Sequence, residues 1–472
     1  MHGEARADTP TDSSPLGWIA ALVVGLGLRL YHLTSQTFWV DEIGVWLAAR
    51  QPTLEGALSV ARGHIMAMPL HYLQTWVAFH LGLNGEWLRL PDALWSTASL
   101  YLAYRVAGHL VNRRVATLTV WLLALSPTLV QYAQELRFYS GMVFFHLALV
   151  AAGLNALRRG RRRDWLSMIL VGAVGSLFHV YVILGLAFVY AAALLNPQWR
   201  NDQQRWRGLL ASSIGLLTIF ALIVWCFGAV PGYTVPLFAY QTLLQFVLGG
   251  LGAWPLYPLQ GAGWIFYGQW LALGLLGIGL ALYRRAWRVI VWVLLVAGIA
   301  SGVVLMNAYR HYFLHSRQIL FLTFWFALLA GMGLAAVLEW IERRWLHLPA
   351  PGNRLVFVLA VVGLGICALP ALAPYYASHK TEVVDTRAAL LAHWRPGETI
   401  CVLPDFDIAV YRYYWWQMPV QDLRACEEEQ VRRDPGVRFV LTPPSYDFRE
   451  QYEVIYRPPW NVIYPKVLWM RR

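Results

Sequence analysis

The chain is predicted to be a polytopic α-helical membrane protein with a small α/β domain at its C-terminal end. Three observations carry this expectation. Its 472 residues are 58% hydrophobic and only 14% charged, against roughly 45–50% and 25% in soluble domains. The apolar residues are gathered in long blocks, suited to helices of about 20 residues that cross a bilayer. The arginines fall in short clusters between the blocks, and after Pro374 the pattern changes to that of a soluble domain.

In chain order the blocks are Leu16–Leu33, Pro91–Val111, Val115–Val130, Phe138–Leu157, Trp165–Phe178, Val180–Leu195, Gly208–Gly228, Trp264–Tyr283, Val289–Met306, Ile319–Trp340 and Leu355–Ala371. They predict about eleven spans. Trp165–Leu195 is read as two short helices turning at Phe178-His179-Val180-Tyr181. The first block is read as an uncleaved helix, because one Arg against three acids precedes it and no A-x-A-like site follows.

Basic clusters stand at Arg113-Arg114, Arg158–Arg163, Arg200/Arg205/Arg207, Arg284/Arg285/Arg288 and Arg343/Arg344/Arg354. Threaded through eleven spans, all lie on one side, which the positive-inside rule makes cytoplasmic. The N-terminus is then cytoplasmic and everything after Ala371 is outside. The formal charge of +12 therefore reports orientation in a membrane, and nucleic acid is not expected as a partner. The piece Ile65–Leu83, with Pro69, His71, Gln74 and His80, is read as an interfacial helix. The outside surface then comprises Thr34–Leu90, Gln131–Arg137, the Phe178–Tyr181 turn, a capping loop Ala229–Gly263, Asn307–Gln318 and the C-terminal domain.

Two domains are expected, residues 1–373 in the membrane and 374–472 outside it. In the second, "DTRAALLAHWRPGETICVLP" predicts a helix, a Pro-Gly turn and a strand, and "VRFVLTPP" and "YEVIYRPPW" predict further strands. Cys226 and Cys367 fall in apolar blocks and read as filler. Cys401 and Cys426 share the outside domain, where a disulfide is permitted but not required by their spacing.

The candidate chemistry lies at the outer membrane edge: Asp41-Glu42 in the first outside loop, Glu135 and Arg137 in the second. Ionisable groups at this depth are costly and point to function. Plain structural readings stand beside this one. Asp41 suits an N-cap, and Glu135 with Arg137 suits an ion pair. His311 and His315 have zinc-like spacing without a third ligand, and no metal is expected.

Three stretches carry a resemblance: "LRLYHLTSQTFWVDEIGVWLAARQ", "MPLHYLQTWVAFHLGLNGEWLRLPDALWS" and "LALSPTLVQYAQELRFYSG". In this order they resemble the membrane GT-C glycosyltransferases, in particular the bacterial family related to protein O-mannosyltransferases and the lipid A aminoarabinose transferase. "HSRQILFLTFWFALLAGMG" resembles that family's Arg-Tyr segment, with Gln318 in place of the tyrosine. Met68 replaces the first proline of its Pro-Pro element.

The resemblance implies a GT-C fold with juxtamembrane helices in the first outside loop. It also implies inverting transfer of a sugar from a polyprenyl phosphate to an acceptor protein, glycolipid or polysaccharide, at the outer face of the bacterial inner membrane and without a cofactor. Asp41 is then expected to act as base, with Glu42 and Glu135 orienting acceptor or sugar, or taking over as base. Arg137 and Arg317 are expected to hold the donor phosphate. Trp39, His64, Tyr139, His179 and His315 are expected to contact substrate. Two alternatives stay open: a polytopic transporter of a lipid-linked or anionic substrate, and a non-catalytic lipid-binding subunit of the same fold.

Overall fold

The apolar blocks of the sequence become helical, and identifiable residues cap, break or end several of the helices. The structure is a computed structural model describing residues 15–62, 68–227, 243–252, 263–283, 286–310, 314–343, 350–415, 418–419, 421–459, 462 and 465–472. Asn112 opens Arg113–Leu125 by accepting the Val115 amide at 2.9 Å. Ser126 then caps Pro127–Ala133, and the proline at its first position breaks the ladder, so the two pieces are bent by 60°. Gly160, at φ 67°, ends Tyr139–Arg159 in the left-handed conformation that glycine adopts without strain.

Among the described residues, six helices are long and apolar enough to cross a membrane, or seven if the bent pair is one span. The other helices of the eleven-block reading fall short of that test. Leu90–Leu110 carries Asp92, Arg105 and His109, and Leu16–Leu30 and Val180–Leu195 are short. Burial separates centre from rim. The spans in Tyr139–Arg159 and Ser316–Ile341 are 78% and 89% buried, whereas Trp287–Tyr309 is 11% buried and offers its apolar surface to lipid. Gly277 and Gly333 let two helices meet backbone to backbone: a Cβ at Gly277 would lie 2.2 Å from the Leu329 carbonyl oxygen, and one at Gly333 2.2 Å from that of Leu273.

The loop expected to lie outside first in the chain folds into helices Val40–Ala49, Leu54–Arg62 and Pro69–His80. Twelve residues reach about 18 Å, too short for a hydrocarbon core of about 30 Å, so Pro69–His80 does not span. Most of the expected cap Ala229–Gly263 lies outside the described residues. Its described helix, Leu243–Gly250, sits on the Ser316–Leu322 turn, where Thr323 donates to the Gly250 carbonyl at 3.1 Å.

The last long helix, Ala350–Ala377, runs through Pro370 and Pro374 and so carries past the expected boundary at 374. The soluble part follows, with strands β1 Thr399–Val402, β2 Leu423–Ala425, β3 Val437–Thr442, β4 Tyr452–Tyr456 and β5 Val467–Arg471. Their order is β2-β1-β3-β5-β4, parallel from β2 to β3 and antiparallel from β3 to β4. Cys401 and Cys426 form a disulfide, their Cα atoms 5.5 Å apart. This domain does not stand alone. Phe38, Ile43 and Tyr72 of the first loop share one hydrophobic core with Val383, Ile400, Tyr411 and Phe439. The domain is thereby seated over the end of the helix bundle that carries Asp41.

Candidate active site

Helix Val40–Ala49 starts after Trp39, whose extended backbone makes it the N-cap. Glu42, three residues on, reaches back to the Trp39 amide at 3.3 Å. Asp41 is therefore not the N-cap that its residue type suggests. It stands in the first turn, where a carboxylate suits the helix dipole, and its side chain is turned outward and 27% exposed.

Two arginines meet Asp41 there. Arg317 Nη2 donates to Asp41 Oδ2 at 3.1 Å, and Arg137 Nη2 lies 3.7 Å from the same oxygen. Arg137 Nη1 also donates to the Asp41 carbonyl at 3.3 Å. The Arg317 guanidinium lies over the rings of Trp39 at 5.1 Å and Tyr139 at 5.7 Å, and Arg137 over Phe138 at 5.1 Å. His315 Nδ1 accepts the Arg317 amide at 3.4 Å, which fixes the turn that presents the arginine. Gln318 closes the same turn by accepting the His315 amide at 3.4 Å.

Glu42 faces the other way and is fully buried. Its oxygens accept from Arg89 Nε at 2.7 Å and Nη2 at 2.9 Å, from the Leu136 amide at 2.8 Å and from Lys380 Nζ at 3.1 Å. Burial alone pushes this carboxyl up, but Arg89 and Lys380 outweigh it and hold it down at about 2. Arg89 also donates to the carbonyls of Leu33, Gln36 and Thr37. Adjacent in sequence, the two carboxylates have opposite surroundings: Glu42 ties the first loop to Arg89 and Lys380, and Asp41 faces outward.

Glu135 is buried too. Its Oε1 lies 4.0 Å from Lys380, and its Oε2 has no hydrogen-bond partner among the described residues. Burial pushes this carboxyl up, and Lys380 only partly counters it. The alternative reading of Glu135 and Arg137 as an ion pair is not met: the side chains part, one toward Lys380 and the other toward Asp41. His179 is buried, stacks on Phe138 at 4.8 Å and accepts the Tyr181 amide through Nδ1. His179 Nε2 and Arg137 Nε have no partner among the described residues. His64 and His311 lie outside the described residues. Asp41, Arg137, Arg317, Trp39 and Tyr139 are thus brought together. Glu42 and Glu135 are buried and share Lys380 instead.

The profile of the dolichyl-phosphate-mannose-protein mannosyltransferase family matches residues 67–225. No curated protein sequence matches the chain. Among solved structures, apo ArnT from Cupriavidus metallidurans aligns over 97% of this chain and 98% of its own, with TM-score 0.54 and 14% identity. The archaeal oligosaccharyltransferase AglB from Archaeoglobus fulgidus, in complex with an inhibitory peptide and a dolichol-phosphate, aligns over 91% of this chain and 69% of its own, with TM-score 0.55 and 10% identity. The chain has the GT-C fold.

A third GT-C structure, the arabinofuranosyltransferase AftD from Mycobacteria, aligns over 93% of this chain but 36% of its own, with TM-score 0.51 and 16% identity. Within the GT-C fold of the present chain, sequence reasoning missed Arg89 and Lys380. A signal for the second was available: the sequence has only two lysines, Lys380 and Lys466, beside its many arginines. Both are buried in ion pairs, Lys380 with Glu42 and Lys466 with Asp407 of the C-terminal domain.

Proposed function

We propose that the chain is an inverting glycosyltransferase that moves a sugar from a polyprenyl phosphate to an acceptor at the outer face of the bacterial inner membrane. The observation that carries this reading is the partly exposed Asp41 carboxylate set between the guanidinium groups of Arg137 and Arg317. A lipid phosphate competes with Asp41 for those two forks, since both anions suit bidentate arginine. Once displaced, Asp41 takes the acceptor's proton as the acceptor's nucleophilic atom bonds to C1 and the C1–O bond to phosphate breaks. The electron pair of that bond departs on the phosphate oxygen, where the arginines stabilise the growing charge.

Glu42 holds the first loop in place and Glu135 lies beside the same Lys380. Trp39 and Tyr139 flank Arg317 with aromatic faces. Glu135 Oε2, Arg137 Nε and His179 Nε2, buried and without a partner among the described residues, favour a ligand rich in hydroxyls, because leaving such atoms unsatisfied costs about 1–3 kcal/mol each. ArnT from Cupriavidus metallidurans has also been solved bound to undecaprenyl phosphate, with a TM-score of 0.50 to this chain. That is the lipid class the reading requires.

The test offers polyprenyl-phosphate sugars to the purified protein in detergent, with glycolipid, peptide and polysaccharide acceptors in parallel. Release of polyprenyl phosphate with sugar transferred to an acceptor supports the reading. Donor binding without release by the native chain would favour a lipid-binding subunit instead.

A further inference from the structure

At the end of the bundle away from Asp41 lies a cavity of about 360 Å³, within the roughly 300–1,000 Å³ of small-molecule sites. The helix Tyr139–Arg159 measures the separation. It starts beside Arg137 and its 21 residues reach about 32 Å, to Arg158, which lies 3.1 Å from the His109 ring on the cavity rim. The deep wall is a rigid aromatic slab. Phe188 stacks on Trp325 at 3.9 Å, Trp325 on Trp292 at 5.1 Å, and both tryptophans line the cavity.

The rim has a different character. Its polar members are His109, Asn196 and Arg288, and no acidic side chain among the described residues lines the cavity. Arg105, Arg158 and Arg159 lie close enough to His109 to act on it electrostatically. An apolar chamber under a cationic rim, at the end of helices that cross a bilayer, matches an anionic amphiphile: acyl chain inward, phosphate at the arginines.

We propose that this cavity binds one anionic phospholipid from the leaflet opposite the active site. The acyl chain lies against Trp292 and Trp325, and the phosphate meets Arg288 and Arg158. The site is separate from the donor site and takes no part in sugar transfer.

Native mass spectrometry of the whole chain in detergent, with phosphatidylglycerol or phosphatidylcholine added, tests this. The native protein should retain one phosphatidylglycerol, about tenfold more tightly than phosphatidylcholine. Arg288→Glu, at an exposed position, should cut that preference by about fivefold or more. Val296→Trp, on the helix that faces lipid, should fill the chamber and abolish retention. Arg163→Glu, an exposed arginine away from the rim, should change nothing. Equal retention of the two lipids, no retained lipid, or an equal effect of Arg163→Glu would overturn the proposal. So would displacement of the bound phosphatidylglycerol by polyprenyl phosphate, which would make the cavity a donor site.

Discussion

Asp41 and Arg317 are 276 residues apart in the chain, and Arg317 Nη2 donates to Asp41 Oδ2 at 3.1 Å. Arg317 comes from the turn before a late helix and Asp41 from the helix Val40–Ala49 that follows the first long helix, so the contact closes the site across the helix bundle. On the proposed reading Asp41→Asn removes the base and keeps the shape. Turnover should fall by about 10²–10⁴-fold, while donor affinity holds or rises slightly, because the arginines lose a competing carboxylate. Single-turnover transfer and donor binding, measured on one preparation, check this. Near-normal turnover would remove Asp41 from the role of base.

Arg137 offers a second test, since its side chain contacts Asp41 and leaves Glu135 to Lys380. Arg137→Lys keeps the charge but loses the fork. Donor affinity should drop, and Arg137→Ala should lower it further, with melting temperature nearly unchanged in both. Normal affinity with a depressed melting temperature would make Arg137 a residue that only holds its loop.

Glu42 predicts the opposite pattern. Glu42→Gln leaves Arg89 and Lys380 buried without their counter-charge, which costs on the order of 3–5 kcal/mol. The folded-state carboxyl is held at about 2, below its ordinary 4.5. Its contribution is therefore full above about 4.5 and is lost as pH falls toward 2. A large fall in melting temperature at neutral pH, shrinking in acid, is the expected result. An unchanged melt at pH 7 would contradict the tie.

Glu382 reverses that sign. It is buried, accepts the Tyr411 hydroxyl at 2.9 Å and is pushed up to about 7, chiefly by burial. The folded state keeps this proton longer than the unfolded one, so its contribution is full below about 4.5 and is lost as pH rises through 7. Thermal melts of native protein and Glu382→Gln at pH 5 and pH 8 should differ in slope, the native protein losing more across the interval. Parallel slopes would refute the assignment.

Topology is testable without chemistry. Arg114 pairs with Glu342 at 2.6 Å and Arg158 lies beside His109, so separate basic clusters meet at the end of the bundle away from Asp41. Reporter fusions after Arg163, Arg207 and Arg288 should report the cytoplasm, and one after Thr386 the outside. An outside signal at Arg163 would invert the whole threading.

The helices were legible because block length and apolarity act locally. So were strands β1, β3 and β4 of the C-terminal domain. The partners of the charges were not. Asp41 and Glu42 are neighbours in one helical turn, and nothing in their spacing says which is buried. Glu135 and Arg137 suit an ion pair by proximity, yet each finds a better partner far away in sequence. Lys380 lies beyond the last long helix and acts on a glutamate in the first loop.

Composition alone dictates a helical membrane protein with a soluble tail, because a chain this apolar must satisfy its backbone inside helices when it enters lipid. Arginine placement likewise sets the expected orientation, through the charge asymmetry of the bilayer. The different surroundings of two adjacent carboxylates were decided only when the tail folded back onto the first loop. That packing buried Glu42 beside Arg89 and Lys380 and left Asp41 facing Arg137 and Arg317. Burial and long-range charge pairing are properties of the assembled fold, so no local pattern could have supplied them.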